Sequence, residues 1–268
     1  ELLQGLDSIK TDRSQVYFLP NGKVLKTFTN QRLDEYRIYT GHDMEVKILD
    51  SFNRDFSSNI VRPKEVVYSN HKFCGFTMDK VSGKTVDSFF DRGNLFEFAN
   101  IYHSVEEVVK NEKDIVFIDF AQFNNLYIDS DNGKFKPYFI DYDGLQVGNY
   151  TACDFATPKI FDYMFEPKYF RYDGYFTKEM DKKNLIYMFF LGCFDFDCRV
   201  IDEFDNPEKA AYQLCMTLGI DDDILLDKII RSFSYDRPNA YLGQDIFRFA
   251  YQYDIKPCAG MKMAFKKR

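Results

Sequence analysis

Tryptophan is absent from this 268-residue chain, and histidine is scarce. The three imidazoles, His42, His71 and His103, lie in unrelated segments without metal-ligand spacing. Zinc catalysis therefore has no support, because a zinc centre draws on several His or Cys side chains at short, regular offsets. The six cysteines, at 74, 153, 193, 198, 215 and 258, form no C-x-x-C pair and fall partly in apolar stretches, as buried free thiols in a reducing compartment do. No G-x-S-x-G marks an activated serine. The longest apolar run, LIYMFFLGCF, is ten residues and reads as a buried helix, well short of the roughly eighteen that a membrane span needs. No charged-then-apolar stretch opens the chain, so the expectation is a cytoplasmic protein without a membrane span. A basic balance is also missing: the formal charge of −7 argues against a general nucleic-acid partner, whose phosphates demand a basic face, and the terminal KMAFKKR is too short to reverse that. The start at Glu1, without Met, is expected of a trimmed chain or of a fragment of a longer protein.

What is present fits an enzyme-sized core. Twenty-nine Phe and nineteen Tyr stand in for the missing Trp, and a chain 45% hydrophobic can hold two packed lobes around a cleft. The most informative stretch is IVFIDFAQFNNLYI followed by KPYFIDYDGLQVG. It reads as apolar strands delivering Asp119, Asn124 and Asp141-Tyr142-Asp143-Gly144 to loops. Carboxylate and amide oxygens so placed suit phosphoryl transfer, in which a divalent cation must be held, a hydroxyl oriented and phosphate charge neutralised. Upstream, VYFLPNGKVLKTFT reads as two strands joined at Asn21-Gly22, the second carrying Lys26. Residues 31–52 have mostly helical apolar spacing, interrupted by Gly41. Residues 59–90 read as a strand, a Ser69-Asn70 turn, a second strand, a connector and a helix.

Taken in order, these segments resemble the protein-kinase superfamily from about Ser14 to Tyr253. The resemblance matches Asp119 to the catalytic-loop Asp that orients the acceptor hydroxyl, and Asn124 and Asp141 to the two metal ligands. Val24-Leu25-Lys26 looks like the strand that carries the phosphate-binding Lys. Glu45 matches the helix carboxylate that pairs with it; Glu35 is the rival, nine residues after Lys26, which leaves little chain to turn from strand into helix. Met78 falls at the gatekeeper position, and Asp79-Lys80-Val81 at the linker whose backbone grips the nucleotide base. Farther on, Thr157 and Glu166 resemble activation-segment positions. Asp181 resembles the buried-helix Asp that bonds catalytic-loop backbone, and Arg237 the Arg that pairs with the activation-segment Glu.

Several positions depart from the family pattern. No G-x-G-x-x-G precedes Val16, which leaves Arg13 or Lys10 to compensate by charge. Phe117-Ile118 replaces the His-Arg before the catalytic Asp, so no Arg is there to receive a phosphorylated activation loop, and turnover is expected not to require phosphorylation of residues 141–166. Ala121 stands where many serine/threonine kinases place a Lys. The resemblance implies an α+β, two-lobed fold: residues 1–80 as a β-rich lobe with one helix, and 81–268 as a larger helical lobe. Helices are expected near 96–111, 178–194, 206–218, 223–232 and 241–252. It further implies ATP and Mg²⁺ as cofactors and a protein Ser/Thr or small-molecule hydroxyl as acceptor. The alternatives are a pseudokinase that binds nucleotide or scaffolds a partner, and a transferase moving AMP or another group on the same fold.

Overall fold

The computed structural model describes residues 3, 5–90, 94–118, 120, 123–152, 171–172, 175–194, 206–233, 241–255 and 260–262. Asp119, Ala121, Thr157, Glu166 and Arg237 lie outside them.

The N-terminal region is a five-stranded antiparallel sheet in the order β1-β2-β3-β5-β4, built from β1 (Ser8–Lys10), β2 (Ser14–Phe18), β3 (Lys23–Phe28), β4 (Pro63–Ser69) and β5 (Lys72–Asp79). The β2–β3 turn closes at Asn21-Gly22, with the Gly22 amide donating to Leu19 O at 3.2 Å. The β4–β5 hairpin turns one residue later than expected: Asn70 and His71 both adopt positive φ, and Ser69 pairs with Lys72. Two left-handed residues form the tight turn whose twist matches the strands, and asparagine tolerates that geometry.

Between β3 and β4 the chain forms two helices where one was expected. In α1 (Asn30–Thr40) Thr29 caps the start, accepting the Arg32 amide at 3.2 Å, and Gly41 ends the helix in the left-handed region at φ 72°. The second helix, α2 (Met44–Ser51), buries Met44, Lys47, Ile48 and Ser51, one stripe at 3- and 4-residue steps, and packs against β4.

After Asp79 the chain leaves this sheet. β6 (Lys84–Thr85) pairs instead with β8 (Leu126–Asp131), which forms a hairpin with β9 (Lys134–Phe139); between them α3 (Asp87–Phe90), α4 (Leu95–Asn111) and β7 (Ile115–Val116) intervene. β10 (Gln146–Val147) returns to pair with β7. Asn94 caps α4, whose buried face of Phe98, Ile101, Tyr102, Val105 and Val109 packs against α5 (Glu179–Cys193), β9 and the last helix. The helix α5 is buried nearly all round, as the apolar run Leu185–Phe194 required. α6 (Pro207–Leu218), α7 (Asp223–Phe233) and α8 (Gly243–Ile255) complete the helical region, within a few residues of the expected bounds. Phe117, Phe120 and Phe139 pack together in the core, edge-on or tilted, the first and last with ring centroids 4.3 Å apart. Among the described residues no helix is long and apolar enough to cross a membrane.

Candidate active site

Strand β3 runs through the middle of the N-terminal sheet and carries Lys26 toward the C-terminal half, where the side chain is largely buried. Its ammonium donates to Asp141 Oδ1 and Asp143 Oδ1, both at 2.5 Å. Asp141 follows the end of β9, and residues Tyr142–Gly144 form one 3₁₀ turn, which returns Asp143 to the same side. A Cβ at Gly144 would press on Asp141 Oδ2, so a larger residue there would make that carboxylate shift.

Two further cations back the cluster. Arg32, from the first turn of α1, places Nη2 3.9 Å from Asp143 Oδ2. Lys47 of α2 is fully buried and donates to the backbone carbonyls of Asp143 (3.0 Å) and Leu145 (2.5 Å). The two carboxylates are consequently unequal. Burial opposes charge on both, but at Asp143 the Lys26 and Arg32 cations outweigh it and hold the pKa below the ordinary value. At Asp141 burial and the Asp143 charge prevail, and the pKa is raised. Burial likewise works against the Lys26 charge, yet Asp141 and Asp143 together hold its pKa above that of a free lysine. Asp143 is thus the fixed counter-ion, and Asp141, with more of its side chain exposed, is the carboxylate more easily given to another cation.

The expected Lys26–Glu45 ion pair is not formed. Glu45 accepts from the Tyr68 hydroxyl at 2.6 Å. The cause is helical phase: the inward stripe of α2 runs through Met44, Lys47 and Ile48, and Glu45 sits about 100° from Met44, facing β4. Glu35, the rival, lies on α1 with Oε2 3.9 Å from Arg13 Nε.

A cavity of about 550 Å³ opens beside the cluster. Its wall includes Lys26, Arg32, Asn124, Asp141 and Asp143 together with Met78, Asp79, Lys80 and Val81. Met78 is buried opposite Val24 in the sheet. Asp79 pairs with Lys64 at 3.0 Å, and the Lys80 amide donates to Gly22 O at 3.0 Å. Asn124 lies in a short 3₁₀ turn, Phe123–Asn125, just before β8, with its side chain exposed to the cavity. The oxygen donors of Asn124, Asp141 and Asp143 are hard ligands of the type magnesium takes.

The segment leading to Asp119 is clamped from α5. Asp181 Oδ1 accepts the Phe117 amide at 2.5 Å, and Asn184 Nδ2 donates to the carbonyls of Phe117 (2.9 Å) and Ile118 (3.1 Å). Lys178 ties Asp181 (2.5 Å) to the carbonyls of Ile115 and Val109. Burial pushes the Asp181 carboxyl up to about 6, against the opposing pull of Lys178 and the Phe117 amide. Asp181 was legible in the sequence; Asn184, three residues on along the same helix face, and Lys178 were not.

No family model matches the sequence, and no curated protein does. Solved structures do match. The kinase PK-1 of Cydia pomonella granulovirus superposes with a TM-score of 0.54 at 17% identity, over 91% of this chain and 93% of that one. The chain has a kinase-like, two-lobed fold. At that identity the likeness speaks to architecture and leaves activity to be argued from the site.

Proposed function

We propose that the protein is an ATP-dependent phosphotransferase. The observation that carries the reading is the convergence on one cavity of Lys26, Asn124 and Asp141 with the 78–81 linker, which come from four separate elements of the chain. In this reading the linker backbone holds the adenine, and Lys26 binds the phosphates. Asn124 and Asp141 would hold Mg²⁺, and Asp143 would remain the carboxylate partner of Lys26. Bound there, magnesium would neutralise phosphate charge and favour departure of the nucleoside diphosphate. Asp119 would orient the acceptor hydroxyl from the clamped segment. The acceptor is a protein Ser/Thr or a small-molecule alcohol.

A second reading, a nucleotide-binding pseudokinase, is favoured by two features: both carboxylates are paired with Lys26, and no glycine-rich loop precedes β2. Transfer assays with γ- and α-labelled ATP separate the cases. Label transferred from the γ position, and lost in Asp141→Ala, supports phosphotransfer. Transfer from the α position means an AMP transferase, and binding without transfer means the scaffold.

A further inference from the structure

The turn that should cover nucleotide phosphates has little backbone to offer. Between β1 and β2, the Thr11 hydroxyl accepts the amides of Arg13 (3.3 Å) and Ser14 (3.0 Å), while the Thr11 amide donates to Ser14 O at 2.9 Å. Those donors are consumed within the turn. Arg32 presents the opposite situation. Its side chain is 11% exposed, it lines the cavity beside Lys26, and its Nη1 is buried with no hydrogen-bond partner. Nη2 reaches Asp143 at 3.9 Å, beyond hydrogen-bond range. A buried guanidinium donor without an acceptor is costly, and a phosphate group supplies acceptors in the spacing that an arginine fork matches.

We propose that Arg32 is a phosphate ligand of this cavity, binding the polyphosphate of a nucleoside triphosphate together with Lys26 in place of glycine-loop amides. The nucleoside part rests on the phosphotransferase reading; the polyphosphate part does not. Arg32 lies six residues after Lys26 on the helix that follows β3, away from the upstream turn where the sequence pattern directs attention.

The test is calorimetric titration of the wild-type chain, Arg32→Ala, Arg32→Lys and Arg37→Ala with ATP, adenosine and inorganic tripolyphosphate. Arg37, exposed on the same helix and paired with Asp34, is the control. Arg32→Ala should weaken ATP and tripolyphosphate by at least about tenfold and leave adenosine unchanged. Arg32→Lys should recover part of the loss, because an ammonium binds phosphate as a point charge. Arg37→Ala should change nothing. Unchanged ATP and tripolyphosphate binding in Arg32→Ala, or an equal loss of adenosine, overturns the assignment. Tripolyphosphate binding through Arg32 with no affinity for ATP or adenosine would keep the phosphate site and defeat the phosphotransferase reading. A wild-type chain that binds none of the three defeats both.

Discussion

Two lysine-centred clusters, one at the cavity wall and one against the 109–118 segment, use the same chemistry to different ends. Around Lys26 two carboxylates share one ammonium at a cavity wall, and one of them, Asp141, is held less firmly than the other. Around Lys178, whose side chain is about one-third exposed, a single carboxylate, Asp181, is wholly enclosed, and the hydrogen bonds of the pair go to backbone of the 109–118 segment or between the two partners. An ion pair open to a cavity can exchange a partner for a ligand. A buried carboxylate that accepts a backbone amide holds the chain in place, since removing its partner strands a charge.

The contrast predicts different losses. Lys26→Met should lower turnover by roughly 10²–10³-fold, the range for deleting one electrostatic contact to a developing charge, in an assay at saturating Mg²⁺-ATP; full turnover would erase the distinction between the clusters. Asp181→Ala should act on stability, costing about 3–4 kcal/mol by urea denaturation, because it strands the Phe117 amide and removes the acid partner of Lys178. A loss under about 1 kcal/mol would mean that the clamp is no stronger than a surface pair.

The pH dependence sharpens the second case. Asp181 titrates near 6 in the folded chain against an ordinary 3.8. The folded state therefore binds that proton more tightly, and its stability falls as pH rises from about 4 to about 6, then levels off. Compared with Asp181→Asn, the wild type should gain up to about 3 kcal/mol on acidification through that window. Parallel stability profiles in the two proteins would contradict it. The smallest effect is expected at Glu45: its contact with Tyr68 is at the surface, so Glu45→Gln should change stability by less than about 1 kcal/mol and leave nucleotide binding intact.

How far these residues could be read in advance depended on the signal each left. Turn chemistry placed the β2–β3 hairpin that presents Lys26, and apolar periodicity placed the five C-terminal helices. The strand-end acids Asp141 and Asp143 stood out by composition. The orientation of α2 was hidden because its inward stripe contains a lysine: pattern alone assigns Lys47 to solvent, whereas its ammonium reaches two carbonyls in the core. Chain position makes Glu45 the natural partner for Lys26, because nothing in the sequence shows that Asp141 and Asp143 take that ammonium. Arg32 and Asn184 left no motif at all, since their roles come from what the fold brings near them.

If the phosphotransferase reading holds, Asp141 would be a ligand of the divalent ion and Asp143 would remain the counter-ion of Lys26. Calorimetric titration of ATP with and without Mg²⁺, on the wild type and Asp141→Ala, tests this directly. Mg²⁺ should tighten ATP binding to the wild type and do nothing for the variant, which should still bind ATP through Lys26. Equal responses to Mg²⁺ in both proteins, or no ATP binding to the wild type, would contradict it.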